Sequence, residues 1–91
     1  MDEFLEIVVS LVKQFAKPGA TVSAETPLIG EDGNLDSMAL VELCLALEDF
    51  AQERGFNFDW SSDDAMSRSR SFFRSPRALA LELSHQRQLQ E

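Results

Sequence analysis

The residues Gly33-Asn34-Leu35-Asp36-Ser37-Met38 set a serine hydroxyl between a carboxylate and an apolar side chain, just ahead of a run with helical hydrophobic spacing. Two kinds of chemistry can use such a hydroxyl. It can be a nucleophile within the protein, or the acceptor on which a separate enzyme builds a phosphate ester. Nucleophilic catalysis needs a base beside the serine and donors for the oxyanion. Ser37 is not in a Gly-x-Ser-x-Gly elbow, and the one histidine, His85, sits near a polar C-terminal tail. An independent hydrolase is therefore disfavoured. The one cysteine, Cys44, excludes an internal disulfide and a cysteine-based zinc cluster, and a single histidine removes most other metal-site patterns. Cys44 falls inside an apolar helical pattern and reads as a core thiol.

The acceptor reading follows from helix-start chemistry. With Asp36 as N-cap, Ser37 becomes the first helical residue, and Leu35 and Leu40 take the flanking positions of a hydrophobic staple. The aspartate serves the backbone, so the serine hydroxyl is left pointing to solvent at the positive end of the helix dipole. A phosphate ester there is favoured by about 0.3 to 1 kcal/mol. On the residues alone a plainer reading stays open, because the chain has ten serines and small polar residues are ordinary at helix starts.

The elements that must position Ser37 can be read from periodicity. Phe4, Val8, Leu11 and Phe15, widened by Leu5, Ile7 and Val12, predict a helix over 2–16, stopped by Pro18 and Gly19. Residues 19–34 read as a long irregular loop pinned to the core by Leu28 and Ile29. Leu40, Leu43, Leu47 and Phe50, with Val41, Cys44 and Ala51 beside them, predict a second helix over 37–54, capped by Gly55. Its outer face carries Glu42, Asp49 and Glu53, with Glu48 close by. Phe56, Phe58 and Trp60 alternate with polar residues, but a lone strand has no partner, so the segment reads as an extended loop whose aromatics plug the core. Phe56, Phe58, Phe72 and Phe73 fit core positions, with the lining of a cleft as the alternative. Ser61 or Ser62 can cap a short third helix, and Ser75 with Pro76 starts a last one whose Leu79 and Leu83 face inward. The expected domain is residues 1–85, with 86–91 as a frayed tail.

Ninety-one residues with 44% apolar and 26% charged side chains suit one small domain. No apolar run approaches the ~20 residues of a membrane span, and Asp2, Glu3 and Glu6 stand where a secretory signal would be basic, so the expectation is a cytoplasmic protein. A formal charge of -8 argues against nucleic acid and toward basic protein partners. From Glu25 to Asp64 there are eleven acidic residues against the single Arg54, then Arg68, Arg70, Arg74 and Arg77 follow. Those arginines, with Phe72 and Phe73 between the middle pair, are either a second docking surface or an offset to the negative charge.

The run LIGEDGNLDSMALVELCLALEDF, residues 28 to 50, resembles the signature of the acyl carrier and peptidyl carrier protein family: an apolar pair, a glycine, Asp-Ser followed by Leu or Met, then an amphipathic acidic helix. The resemblance implies an all-α, acyl-carrier-like four-helix bundle with a long loop between its first two helices. It also implies that Ser37 bears 4′-phosphopantetheine, derived from coenzyme A, whose thiol carries a cargo as a thioester. Asp36 would help engage the phosphopantetheinyl transferase, Met38 and Val41 would lie beside the arm, and Glu42, Glu48 and Asp49 would form the recognition face. Further partners would be an acyl- or aminoacyl-loading ligase and downstream acyl-processing enzymes, and the protein, a monomer, would be their substrate rather than an enzyme. The form G-x-L-D-S-M is more similar to D-alanyl and other stand-alone carriers, and residues 58–74 are longer and more basic than the usual third-helix region. Both features suit a specialised role in lipid or secondary-metabolite biosynthesis rather than housekeeping fatty-acid synthesis. The alternative is a non-catalytic acidic helical interaction module in which LDSM is only a helix cap.

Overall fold

In the computed structural model, which describes residues 2–17, 19, 21–29 and 35–91, four helices form and no strand is found among those residues. They are α1 (Asp2–Phe15), α2 (Ser37–Glu53), α3 (Asp63–Phe72) and α4 (Pro76–Leu89). The all-helical class expected from periodicity is thus present, as a small bundle. α1 packs most extensively on α4 and also on α2, while α3 packs on α4. Pro18, Gly30, Gly33 and Asn34, invoked above as breakers or as part of the serine motif, lie outside the described residues.

On α1 the fully buried stripe is Phe4, Val8 and Val12, with Leu5, Ile7, Leu11 and Phe15 packed beside it. The stripe is rotated from Leu11 toward Val12 because α1 is covered on two sides. α2 buries Leu43, Cys44, Leu47, Phe50 and Ala51, while Val41 is exposed. Its end is closed by two bonds, from the Gly55 N–H to the Gln52 carbonyl at 3.1 Å and from the Phe56 N–H to the Ala51 carbonyl at 3.0 Å. This reversal needs a left-handed residue, and Gly55 supplies it with φ at +86°. Phe56 is thereby returned to the core, its ring 6.0 Å from Phe4, which meets Phe50 edge-on at 5.6 Å.

The α1–α2 loop is pinned as expected, with Leu28 fully buried and Val22 nearly so. It also completes α4. The first N–H groups of a helix have no partner within it. Pro76 has none to satisfy, Arg77 donates to the Ala24 carbonyl at 2.9 Å, and Ala78 donates to the Ser75 hydroxyl at 3.1 Å. The Arg77 guanidinium also pairs with Glu25 in the same loop.

The segment after α2 finds an unexpected partner. The Gln86 amide accepts from the Asp59 N–H at 2.6 Å and donates to the Asp59 carbonyl at 2.8 Å. Gln90 makes the same pair of bonds with Asn57, both at 2.8 Å. Two residues of extended chain advance about 6.6 to 6.8 Å and four residues of helix about 6.0 Å, so alternate backbone groups of the one face every fourth side chain of the other. Two glutamines thus stand in for a neighbouring strand. This corrects the expectation of a domain ending at residue 85 with a frayed tail: α4 runs to Leu89 and Gln86 is only 4% exposed. A polar tail sequence suggested fraying because the amides' backbone partners lie some thirty positions away.

Ser62, not Ser61, caps α3, accepting from the Ala65 N–H at 3.1 Å. Phe58 and Phe72 meet at 6.4 Å and Phe72 and Phe73 at 4.5 Å, so these rings are core, and Phe73 also lines a cleft. No helix among the described residues is long and apolar enough to cross a membrane. Gln86→Ala is expected to lower stability by about 1 to 3 kcal/mol, since it leaves the buried ends of its partners unsatisfied. Exposed Gln88→Ala should stay within about 0.5 kcal/mol, with urea unfolding as the measurement.

Candidate functional site at the start of α2

Asp36 takes an extended conformation at the N-cap, and its Oδ1 accepts the Ala39 N–H at 2.7 Å. The Leu40 N–H reaches the Asp36 carbonyl at 2.9 Å. Leu35 is buried and Leu40 half-buried, as a staple would place them, which fixes the chain's entry into the helix. Ser37 is therefore the first helical residue, exposed, and its hydroxyl makes no hydrogen bond to another described residue. No acidic residue lies in the first turn of α2 itself, and the Asp36 cap is the carboxylate set against the positive end of the helix among the described residues.

Below the serine, the same helix face lines a cleft. Val41 and Cys44 are four and seven residues on from Ser37, which puts Val41 about 6 Å down the helix axis on the serine's side. With Leu40 they form one wall of a cavity of about 240 Å³, faced by Trp60 and by Met66, Ser69 and Phe73 of the α3 region, with Ile29 from the loop. Its two polar groups are committed elsewhere: the Ser69 hydroxyl donates to the Met66 carbonyl at 2.9 Å and the Trp60 Nε1–H to Glu48 Oε2 at 2.8 Å. What remains is apolar. Larger hollows of about 430 and 370 Å³ lie elsewhere, along α4 and α1, and are not lined by any residue of α2.

Of the acidic residues expected on the recognition face, Glu42 and Asp49 are exposed and seven positions apart, on one side of the helix. Glu48 differs, being half-buried and bonded to Trp60, so it braces the cleft wall rather than standing free. Met38 is 72% and Val41 45% exposed, which leaves apolar surface beside the serine. His85 lies on α4 in a hollow with Arg74 and Leu81, not in the cleft below Ser37. Sequence reasoning missed Met66 and Ile29 as cleft residues. The available signal for Met66 was a large apolar side chain in an otherwise polar segment, whereas Ile29 was read only as a core pin beside Leu28.

The basic segment is divided by the fold. Arg68 bonds Glu82 at 2.6 Å and lies 3.3 Å from Asp64, and Arg77 pairs with Glu25. Arg70 and Arg74 are exposed and have no ion-pair partner among the described residues. Of the two readings of these arginines, the charge offset fits Arg68, which neutralises a carboxylate that is only 10% exposed, and Arg77, while Arg70 and Arg74 are left for the other. No protein-family model matches the chain, and neither does any curated protein or solved structure.

Cys44 is 1% exposed, and burial, with the Glu48 charge as a smaller cause, pushes its thiol up to about 12. The folded protein thus holds a proton that the unfolded chain releases near its ordinary value of 9.0. The stabilisation from this thiol is complete below that value and is lost as pH rises toward 12. Iodoacetamide at mildly alkaline pH should accordingly leave native Cys44 unmodified and alkylate it fully in urea, as read by intact mass.

Proposed function

We propose that the protein is a carrier: Ser37 accepts 4′-phosphopantetheine from coenzyme A, and the chain takes acyl or aminoacyl cargo between partner enzymes without performing their chemistry. One observation carries this reading, the exposed hydroxyl at the first residue of α2, which bonds no other described residue and is set above an apolar cleft on the same helix face. When attached, the group supplies a flexible arm ending in a thiol that holds cargo as a thioester. Ser37 would provide the ester oxygen, giving its proton to the transferase, while the pyrophosphate bond of coenzyme A would break and release adenosine 3′,5′-bisphosphate. The N–H groups and dipole of the first turn of α2 favour the negative phosphodiester. Asp36 keeps that turn intact while remaining exposed beside the acceptor, where a transferase can reach it.

Tethering converts a dilute reactive group into one presented at high effective concentration to each docked enzyme. Glu42 and Asp49 are placed to steer basic patches toward Ser37, and exposed charges speed encounters without making them tight, as a shuttle requires. Met38 and Val41 add an apolar contact next to the arm. The committed state of the polar groups in the cleft suits the hydrocarbon part of a cargo. A monomeric, cytoplasmic carrier in specialised lipid or secondary-metabolite biosynthesis fits these features, with an acyl-carrier-like identity for the four helices.

Incubation with coenzyme A and a broad-range phosphopantetheinyl transferase should add one arm to the intact mass, mapped to the Ser37 peptide. Ser37→Ala should unfold at the wild-type midpoint and gain no mass, since it removes no cap. A wild-type chain that takes up no arm would leave the acidic interaction module as the better reading. Reversing Glu42 and Asp49 to Lys should slow arm transfer by about tenfold with little change in stability. The wild-type rate should fall as salt rises, because screening acts over about 8 Å at physiological ionic strength.

A further inference from the structure

We infer that the outer side of α4 is a docking groove for an acidic, amphipathic segment of a partner protein, anchored ionically by Arg74 and apolarly by Leu81. Two hollows, of about 430 and 290 Å³, adjoin along this side and share Arg74, Ala78 and Leu81 in their walls. Ala78, Leu81 and His85 follow one another at three and four residues, so they lie on a single helical stripe. Leu81 is 51% exposed while Leu79 and Leu83, on either side of it, are fully buried. The bundle's own core therefore makes no use of Leu81.

The charge in the groove is one-sided once its internal pairs are removed. Glu25 is matched by Arg77, and Glu82 by Arg68 and the Gln86 amide. Arg74 is left exposed in a wall shared with Ala78 and Leu81, with no carboxylate partner among the described residues. A basic partner would find both carboxylates taken and would meet Arg74 as a like charge. A purely apolar partner would strip water from the guanidinium and give nothing in return. A segment that presents a carboxylate beside an apolar side chain answers both anchors, and the planar guanidinium favours two-point contact with a carboxylate. The chain's net charge of -8 does not oppose this strongly, since residues 65–81 hold four arginines and no acid and more distant charges are screened over about 8 Å. The groove is thus of opposite character to the face bearing Glu42 and Asp49, and the inference stands whether or not Ser37 carries an arm.

The test is an amide chemical-shift titration of the unmodified, isotope-labelled chain with two synthetic helical peptides. One has leucines on one face and glutamates on the other, and its twin has lysine for every glutamate. The acidic peptide should shift amides within 71–85, and Arg74→Glu and Leu81→Gln should each weaken it by about tenfold with thermal midpoints unchanged. Arg74→Gln replaces the reversal if that variant fails to fold. The inference is overturned if the acidic peptide leaves 71–85 undisturbed, if the lysine peptide binds there equally well, or if neither substitution alters Kd. None of these outcomes bears on arm attachment, which is read separately by mass.

Discussion

A closed circuit of polar contacts around a buried carboxylate holds α3 in place, and much else in the structure depends on it. Glu82 on α4 accepts from Arg68 on α3 and from the Gln86 amide, Gln86 clasps the Asp59 backbone, and the Asp59 carboxylate accepts the Ser62 hydroxyl at the head of α3. That hydroxyl is the largest cause holding the Asp59 carboxyl below its usual range. α3 is ten residues long and buries only Ala65 and Phe72, so neither its intrinsic propensity nor its apolar surface would fix it. Breaking a buried ion pair by removing one partner costs about 3 to 5 kcal/mol, because the other charge stays desolvated. Arg68 being about a third exposed, its share is at the lower end.

The cleft inherits its shape from this circuit. One wall is α2, through Leu40, Val41 and Cys44, and the other is the α3 region, through Met66, Ser69 and Phe73. Trp60 closes one side because the extended segment that bears it is clasped by α4 at Asn57 and Asp59 and tied to α2 by the Glu48 hydrogen bond. The space beneath Ser37 is therefore set by groups far from it in sequence, whereas the serine's exposure is set by its immediate neighbours.

That difference explains what could be read from the chain alone. The Asp36 cap, the first-helical place of Ser37 and the Gly55 reversal rest on contacts three to five residues long, and residue type and spacing specify them. The buried stripes of α1 and α2 follow from periodicity, displaced only where two neighbours compete for one helix. The roles of Gln86, Gln90 and Glu82 were illegible, because a polar residue that bonds across the fold has the same appearance as one that faces water. For the same reason Glu48 read as free surface and Arg68 as part of a basic patch. A polar side chain declares its partner only when the backbone has brought the two together.

The paired amides carry a chemical liability of their own. Each glutamine is used at both ends, its oxygen accepting an N–H and its nitrogen donating to a carbonyl, and no other uncharged side chain of that length offers both functions. Deamidation, the slow hydrolysis to glutamate, exchanges the donor for a second acceptor. At Gln90, which is exposed, water can take up the lost bond. At Gln86 the new oxygen would face the Asp59 carbonyl and the Glu82 carboxylate, two groups that can only accept. Ageing of one amide would thus place a second negative charge against the one the bundle already buries, and loosen the segment that carries Trp60.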